Sequence, residues 1–118
     1  MDQHMYPEAS LELHRQRQAL APAAAAAFKA FNQAVFADGA LSAKTKDLIA
    51  IAVAHVTQCP YCIRGHTASA LRKGATEQEV MEAIWVAAEM RAGGAYAHSN
   101  LAIDTMNQVA AKQSGQPT

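Results

Sequence analysis

Residues 42–56, SAKTKDLIAIAVAHV, decide whether this chain is all-helical or contains a sheet. Leu48–Val56 is apolar except for His55 and rich in β-branched residues, so a buried strand is one interpretation. A strand that leads into a Cys-x-x-Cys helix would be typical of the thioredoxin arrangement. However, Ser42–Asp47 offers an N-cap and a polar first turn, and a lone strand would leave its backbone hydrogen bonds unpaired. The stretch therefore predicts a helix and an all-α fold.

Turn-forming residues divide the remaining chain into further helices, about six in all. The breaks fall at Pro22, Gly39, Pro60, Gly74 and the pair Gly93-Gly94. The other predicted helices cover Glu8–Leu20, Pro22–Phe36, Pro60–Lys73, residues 80–90 behind a Thr76–Glu79 capping box, and Ala95–Lys112. We expect one domain over residues 1–118, with its core at about 20–112 and a frayed tail at 113–118.

The charge pattern argues against binding to large polyanions. Ten acidic and ten basic residues balance, and no basic block is longer than two residues, so neither nucleic acid nor an anionic membrane surface is an expected partner. The start of the chain lacks the basic and apolar regions of a secretory signal, and the apolar run Ala23–Ala27 is too short to span a bilayer. We therefore expect a cytoplasmic protein, in which a close cysteine pair is more often catalytic or metal-binding than structural.

Apolar residues cover more than one face of two predicted helices, 48–56 and 80–90. The chain has 118 residues, of which 51% are hydrophobic, and a domain of this size cannot cover all of that surface alone. We expect a homo-oligomer formed by helix packing; the alternative is a compact monomer with a tightly wrapped core. Phe28, Phe31 and Trp85 are predicted to lie in the core.

The stretch that carries chemistry is Cys59-Pro60-Tyr61-Cys62, followed by His66. Pro60 places Cys59 at or beside the N-cap of a helix and Cys62 in its first turn. There a thiolate faces unpaired backbone N–H groups and the positive end of the helix dipole, which lowers a thiol pKa. His66 lies one turn after Cys62 on the same face, so its imidazole can take the thiol proton or return it to a leaving group. These residues are the minimal equipment for reversible disulfide chemistry.

Two further residues are candidates for this site. Asp47 lies twelve residues before Cys59 and could orient His66 or pass a proton through water; the simpler interpretation is an acidic residue that favours the N-terminal end of its helix. His55 is the single polar group in an apolar run, four residues before Cys59. A histidine of that kind is either a hydrogen-bonded core residue or a second catalytic group, and the sequence favours neither.

A zinc site is the alternative chemistry for these residues. His55, Cys59, Cys62 and His66 supply two nitrogens and two sulfurs, which is the composition of a structural zinc site. All four lie within twelve consecutive residues, whereas structural sites usually draw ligand pairs from two separated turns. The spacing therefore favours redox chemistry with no bound metal.

The motifs resemble a known family. Residues 46–53, KDLIAIAV, the Cys59–Cys62 motif with His66, residues 74–76, GAT, and residues 92–94, AGG, are similar to the carboxymuconolactone decarboxylase superfamily and, within it, to the alkylhydroperoxidase AhpD-like branch. The resemblance covers roughly residues 20 to 105. It implies an all-α fold, homo-oligomers such as trimers or hexamers, and a peroxidase that depends on two cysteines.

The resemblance also implies a role for each site residue. Cys62 matches the family's peroxide-reactive cysteine, Cys59 its resolving cysteine and His66 its histidine. The family's glutamate falls on Asp47, which is one methylene shorter. We therefore expect a water molecule or His55 to complete the contact with the thiol–imidazole pair.

From these observations we predict a thiol-dependent hydroperoxide reductase. It would take a hydroperoxide as substrate and an external dithiol or thiol protein as reductant, and it would need no bound cofactor. A disulfide reductase acting on protein or small thiols would use the same residues. A third alternative is a non-catalytic helical assembly or a zinc-stabilised module. Decarboxylase members of the superfamily generally lack the cysteine pair, so decarboxylase activity is the weaker inference.

Overall fold

The computed structural model describes residues 5–115, and these form five α-helices and no strand. The helices are α1 (Leu11–Leu20), α2 (Pro22–Phe36), α3 (Ala43–Thr57), α4 (Pro60–Arg72) and α5 (Glu77–Gln113). The all-α prediction is confirmed. None of these described helices is both long and apolar enough to cross a membrane. The chain start at 1–4 and the last part of the predicted tail, 116–118, lie outside the described residues.

The stretch that left helix and strand open forms α3. The Ser42 side chain caps its N-terminal end by accepting a hydrogen bond from the Thr45 N–H at 3.1 Å. At the other end Gln58 adopts a left-handed conformation with φ 60°, and its N–H donates to the Ala54 carbonyl. Both ends of the segment are therefore satisfied locally, which explains why it forms a helix.

Two helix boundaries position the cysteine motif. Cys59 is the N-cap of α4 and Pro60 lies in its first turn. The helix ends at Arg72 with Lys73 as its C-cap, and Gly74 reverses the chain with a φ of 91°, a conformation that glycine adopts at the lowest cost. A Thr76–Glu79 capping box then starts α5. The predicted start and end of α4 are therefore confirmed.

The predicted break at Gly93-Gly94 is wrong, because α5 runs unbroken over 37 residues. Neither glycine has a positive φ, so both stay in the right-handed helix. A helical glycine costs about 1 kcal/mol relative to alanine, which the hydrogen-bonded turns on both sides outweigh, and no proline follows to stop the helix. The described chain therefore has five helices, one fewer than predicted.

Helix α3 packs against both α4 and α5. The core between them consists of Ile51, Ala70, Ala75 and Val80. Because Ile51 and Ala70 are completely buried against this cluster, α3 and α4 are held side by side. This packing brings the first turns of α3 beside the last turns of α4, where the polar part of the site forms.

The described part of the chain is elongated, with extents of 67 × 40 × 36 Å and a Cα radius of gyration of 21.6 Å. A compact domain of this length would have a radius of gyration of about 13 Å. Helices α1 and α2 contain no buried residue. The prediction that Phe28, Phe31 and Trp85 lie in the core is wrong, since they are 67%, 64% and 68% exposed. Within residues 5–115, much of the apolar surface of α1 and α2 is therefore exposed.

Candidate active site

The two cysteines meet at the N-terminal end of α4. Cys59 Sγ accepts a hydrogen bond from the Cys62 N–H at 3.3 Å, because an N-cap side chain points back toward the unpaired N–H groups of the first turn. The two sulfurs lie 2.7 Å apart. Both cysteines are free and half-buried, so one thiol can donate its proton to the other.

These contacts act on the two thiols in opposite directions. The hydrogen bond from the Cys62 side chain lowers the pKa of Cys59, and the Cys62 N–H lowers it further. The hydrogen bond with Cys59 raises the pKa of Cys62, and burial and the charge of Cys59 act in the same direction. In the reduced pair Cys59 is therefore the thiol that loses its proton more readily, and Cys62 is the one that holds it more tightly. The family resemblance made Cys62 the peroxide-reactive residue, and its thiol is the one whose pKa is raised.

His66 lies one turn after Cys62 and faces the same space. Both side chains line a cavity of about 430 Å³ and a second one of about 370 Å³. The Phe36 ring on α2 stacks on the imidazole, with ring centroids 4.8 Å apart and planes inclined by 27°. This stacking fixes the plane of the imidazole beside the cavities that Cys62 also lines.

The larger cavity has mostly apolar walls. Beside Cys62 and His66, its lining includes Val35, Phe36, Ile49, Ala50, Val53 and Ala54, together with the charged Lys46. Apolar walls of this kind accommodate a hydrocarbon group and leave few partners for water. A small organic molecule with an apolar body therefore fits next to the Cys62 thiol.

Asp47 lies on the other side of the imidazole. Its Oδ1 is 2.9 Å from His66 Nδ1, and its Oδ2 accepts hydrogen bonds from Ser69 Oγ at 2.7 Å and Lys73 Nζ at 2.6 Å. The aspartate is 1% exposed. The contact with the imidazole is direct, so the expectation that water or His55 would have to bridge it is wrong. The position of α3 against α4 makes up for the missing methylene.

The ionisation of Asp47 determines which imidazole nitrogen is available. Burial by itself would raise the pKa of Asp47, but hydrogen bonds from Lys73, His66 and Ser69 outweigh it and hold the pKa below its ordinary value. An ionised carboxylate can only accept hydrogen bonds, so His66 Nδ1 carries the proton of the shared bond. Nε2 is then the ring nitrogen that can take a proton from a thiol.

Sequence reasoning missed Ser69 and Lys73. They follow His66 by three and seven residues, so with Cys62 they form one polar stripe along α4. That spacing was the available signal, but a lysine beside a C-terminal glycine is normally explained by the helix dipole alone. Lys73 Nζ also donates to Ser69 Oγ at 3.0 Å. The stripe is therefore a connected network around the Asp47 carboxylate.

The structure does not bring His55 to this network. His55 Nδ1 lies 2.7 Å from the Ile51 carbonyl of its own helix, and His55 lines neither of the two cavities beside His66. Its placement fits a histidine satisfied by a backbone hydrogen bond. Across residues 5–115, no three His, Cys, Asp or Glu side chains are arranged to hold a metal ion. The zinc interpretation, which needed His55 beside the cysteines, finds no support in this geometry.

Residues 22–105 match the carboxymuconolactone decarboxylase family. Cys59, Cys62, His66 and Asp47 all lie within this range. The chain therefore belongs to the carboxymuconolactone decarboxylase family. Its cysteine pair at a helix start is consistent with the alkylhydroperoxidase AhpD-like branch. The family includes both decarboxylases and AhpD-like peroxidases.

Individual proteins are similar to this chain, and one of them is a named member of the family. An uncharacterized protein of the cox locus of Paracoccus denitrificans is 63% identical over 83 residues, which are 70% of this chain and 75% of that protein. An uncharacterized protein of Cupriavidus necator is 41% identical over 102 residues, 81% of this chain and 90% of its own. The crystal structure of a carboxymuconolactone decarboxylase family protein from Legionella pneumophila has a TM-score of 0.62 at 38% identity, covering 67% of this chain and 70% of that one.

Proposed function

We propose that the chain is a thiol-dependent hydroperoxide reductase. The observation that carries the proposal is that Cys62 and His66 line the same cavity while Asp47 contacts the imidazole at 2.9 Å. A nucleophilic sulfur needs an adjacent base and a third group that orients the base. These three residues supply that set, and Cys59 adds a second thiol 2.7 Å from the first.

The first step oxidises Cys62. His66 Nε2 takes the Cys62 proton, and the sulfur attacks the terminal oxygen of a hydroperoxide, ROOH. The S–O bond forms as the O–O bond breaks, so the sulfur is oxidised and the peroxide is reduced. His66 then returns the proton to the departing alkoxide, and the products are a Cys62 sulfenic acid and the alcohol ROH.

The second step forms a disulfide and prepares the site for recycling. The Cys59 thiolate, favoured by its lowered pKa, attacks the sulfenic sulfur, and hydroxide leaves and is protonated to water. An external dithiol or thiol protein reduces the Cys59–Cys62 disulfide and is itself oxidised. The cycle uses no bound cofactor. We place it in the cytoplasm, where thiol reductants are plentiful.

The apolar cavity supports organic hydroperoxides as substrates. A space of about 430 Å³ is much larger than hydrogen peroxide needs, and its apolar walls gain more from a hydrocarbon group than from water. We expect kcat/KM to be higher for a hydroperoxide with an apolar body, such as cumene hydroperoxide, than for hydrogen peroxide. Equal or reversed kcat/KM values would show that the apolar cavity does not select organic hydroperoxides.

Cysteine variants test the division of roles between the two sulfurs. With one equivalent of peroxide and no reductant, Cys62→Ser should consume none. Cys59→Ser should consume one equivalent and retain a sulfenic acid that dimedone traps. With a dithiol present, the wild type should turn over many times. Equal peroxide consumption by the two variants would contradict the proposal.

A disulfide reductase is the second candidate function, and one observation favours it. Cys59 has the lowered pKa and caps the helix, which is the arrangement of an attacking thiol in disulfide exchange. Second-order rate constants for oxidation of the reduced protein by peroxides and by small disulfides separate the two functions. We expect the peroxide reaction to be faster. A faster reaction with disulfides would make the disulfide reductase the better supported function.

We also propose that the chain assembles into a homo-oligomer, a trimer or a hexamer. The radius of gyration of 21.6 Å and the lack of buried residues in α1 and α2 indicate that one copy does not bury all of its apolar helix faces. Tyr96, Leu101 and Met106 on α5 are exposed in addition to the aromatic residues of α2, and exposed apolar surface of this extent is typical of an interface. Light scattering should give a multiple of 12.6 kDa. A mass of one chain would reject the assembly.

A further inference from the structure

Lys73 is a member of the site that the reaction above does not use. Its ammonium lies 2.6 Å from Asp47 Oδ2 and 3.0 Å from Ser69 Oγ. Lys73 is the C-cap residue of α4, where a cation is favoured by the helix dipole, and Gly74 turns the chain away directly after it. The backbone therefore holds the lysine where its side chain reaches the carboxylate.

We propose that Lys73 is a positioning residue that keeps His66 neutral, with its single ring proton on Nδ1. The inference rests on the proposed function only in that His66 is the base of the reaction. Asp47 is almost completely buried, and a buried carboxylate requires a counter-charge. Lys73 supplies that charge at Oδ2, so the imidazole at Oδ1 does not have to supply it by taking a second proton.

Ser69 is the second donor to the Asp47 oxygen that Lys73 contacts. Its hydroxyl donates to Asp47 Oδ2 at 2.7 Å and accepts from Lys73 Nζ at 3.0 Å. The carboxylate thus receives two donors at Oδ2 and one at Oδ1. With Oδ2 occupied by Lys73 and Ser69, the remaining position favours the Nδ1–H of a neutral ring and leaves Nε2 unprotonated.

The other groups around the imidazole do not change this balance. The charged and titratable side chains that face it or its cavities are Lys46 and Asp47 from α3, Tyr61 and Cys62 from α4, and Lys73 at the C-cap of α4, with Cys59 beside Cys62. Lys46 Nζ donates to the Ala37 carbonyl at 2.6 Å, and its positive charge also opposes a second proton on the ring. A negative charge on Cys59 would act in the opposite direction, but Cys59 lines neither cavity.

The test is the protonation state of the His66 ring in the full-length, reduced protein at pH 7.5. Nitrogen-15 shifts of labelled histidines distinguish the Nδ1–H, Nε2–H and doubly protonated forms, and His66→Gln identifies the signals. The wild type should show the Nδ1–H form. In Lys73→Met that form should be lost. Either the ring becomes doubly protonated, or Asp47 takes a proton and donates it to Nδ1, which moves the ring proton to Nε2. Lys73→Arg should retain the Nδ1–H form.

Lys44→Met is the matched control. Lys44 also pairs with a carboxylate, Glu79 at 3.3 Å, but lies outside the site, so its removal should leave the His66 signals unchanged. Peroxide consumption at pH 7.5 should fall at least about tenfold in Lys73→Met and stay near the wild-type rate in Lys73→Arg and Lys44→Met. A loss of stability alone would lower the folded fraction of Lys73→Met without changing the ring form of its folded molecules.

The outcomes separate this inference from the proposed function. A wild-type ring that is doubly protonated or in the Nε2–H form overturns the inference without any variant. A Lys73→Met ring that keeps the Nδ1–H form also overturns it. If the ring responds as expected and the wild type consumes no peroxide, the positioning role of Lys73 stands and the proposed reaction fails.

Discussion

Replacing Asp47 by asparagine removes the charge from the centre of the site but keeps the shape of the side chain. The carboxylate accepts from His66, Ser69 and Lys73 at 2.6 to 2.9 Å. An asparagine offers one accepting oxygen and one donating nitrogen. The oxygen has to face Lys73, which cannot accept a hydrogen bond, so the amide nitrogen faces His66. The ring can pair with it only by accepting at Nδ1, which moves its proton to Nε2.

The expected magnitude follows from that tautomer change. With a proton on Nε2, His66 can no longer take the Cys62 proton, and a misassigned general base costs about 10² to 10⁴ in rate. The expected loss in the free energy of unfolding is modest. The lost charge-assisted hydrogen bonds are worth about 1.5 to 3 kcal/mol each, but Lys73 is 37% exposed and can turn to solvent, so we expect about 1 to 3 kcal/mol in total.

The assay is steady-state peroxide consumption with a dithiol at pH 7.5, together with urea denaturation. Asp38→Asn is the matched control, because Asp38 also accepts a hydrogen bond, from the Ala43 N–H at 2.7 Å, but lies outside the site. It should keep the wild-type rate. Asp47→Glu keeps the charge and should retain more activity than Asp47→Asn. A folded Asp47→Asn protein that works within about twofold of the wild type would refute the proton-transfer role of His66.

Three further predictions concern stability and are all checked by urea denaturation. The pKa of Asp47 is held below its ordinary value of 3.8, so its contribution to the free energy of unfolding is present above that value and is lost as the pH falls through the folded-state pKa. The difference in unfolding free energy between the wild type and Asp47→Asn should therefore shrink below pH 4. A difference that stays constant with pH would contradict this. Ile51→Ala empties a fully buried position and should cost about 2 to 5 kcal/mol, whereas a cost below about 1 kcal/mol would show that Ile51 is not a core residue. Gly74→Ala, at φ 91°, should destabilise by about 1 kcal/mol, while Gly94→Ala, in open helical space, should stabilise by about 0.5 to 1 kcal/mol; the same sign in both would contradict the assigned backbone conformations.

The helix starts could be predicted because their signals are local. Ser42 caps α3, Cys59 with Pro60 begins α4, and Thr76 begins α5, and each cap is a bond between a side chain and an N–H two or three residues away. The pair Gly93-Gly94 misled because a glycine ends a helix only when it adopts the left-handed conformation. The wider packing decides that, and a short stretch of sequence does not show it.

The site could be predicted only in part, for a similar reason. The spacing of Cys62 and His66 on one helix is enough to place them together. The contact of Asp47 with His66 depends on how α3 packs against α4 through Ile51 and Ala70, and sequence spacing carries no information on that packing. The sequence made Asp47 a candidate and the resemblance matched it to the family's glutamate, but neither showed the direct contact. Its partner Lys73 was missed because nothing on α4 alone indicates that a carboxylate from another helix lies next to it.

The pKa directions indicate Cys59 as the more reactive thiol, whereas the position of the cavities indicates Cys62 as the sulfur that meets the peroxide. The Asp47 network accounts for both observations. Cys59 has the lowered pKa, but Cys62 is the sulfur that lines the cavities beside His66. In the proposed reaction a peroxide in the apolar cavity meets the sulfur whose pKa is raised, and a protonated sulfur is a poor nucleophile. It becomes reactive only when a base removes its proton, and a neutral His66 held by Asp47 is the group placed to do so. The thiolate character of Cys59 then serves the later step, the attack on the oxidised Cys62.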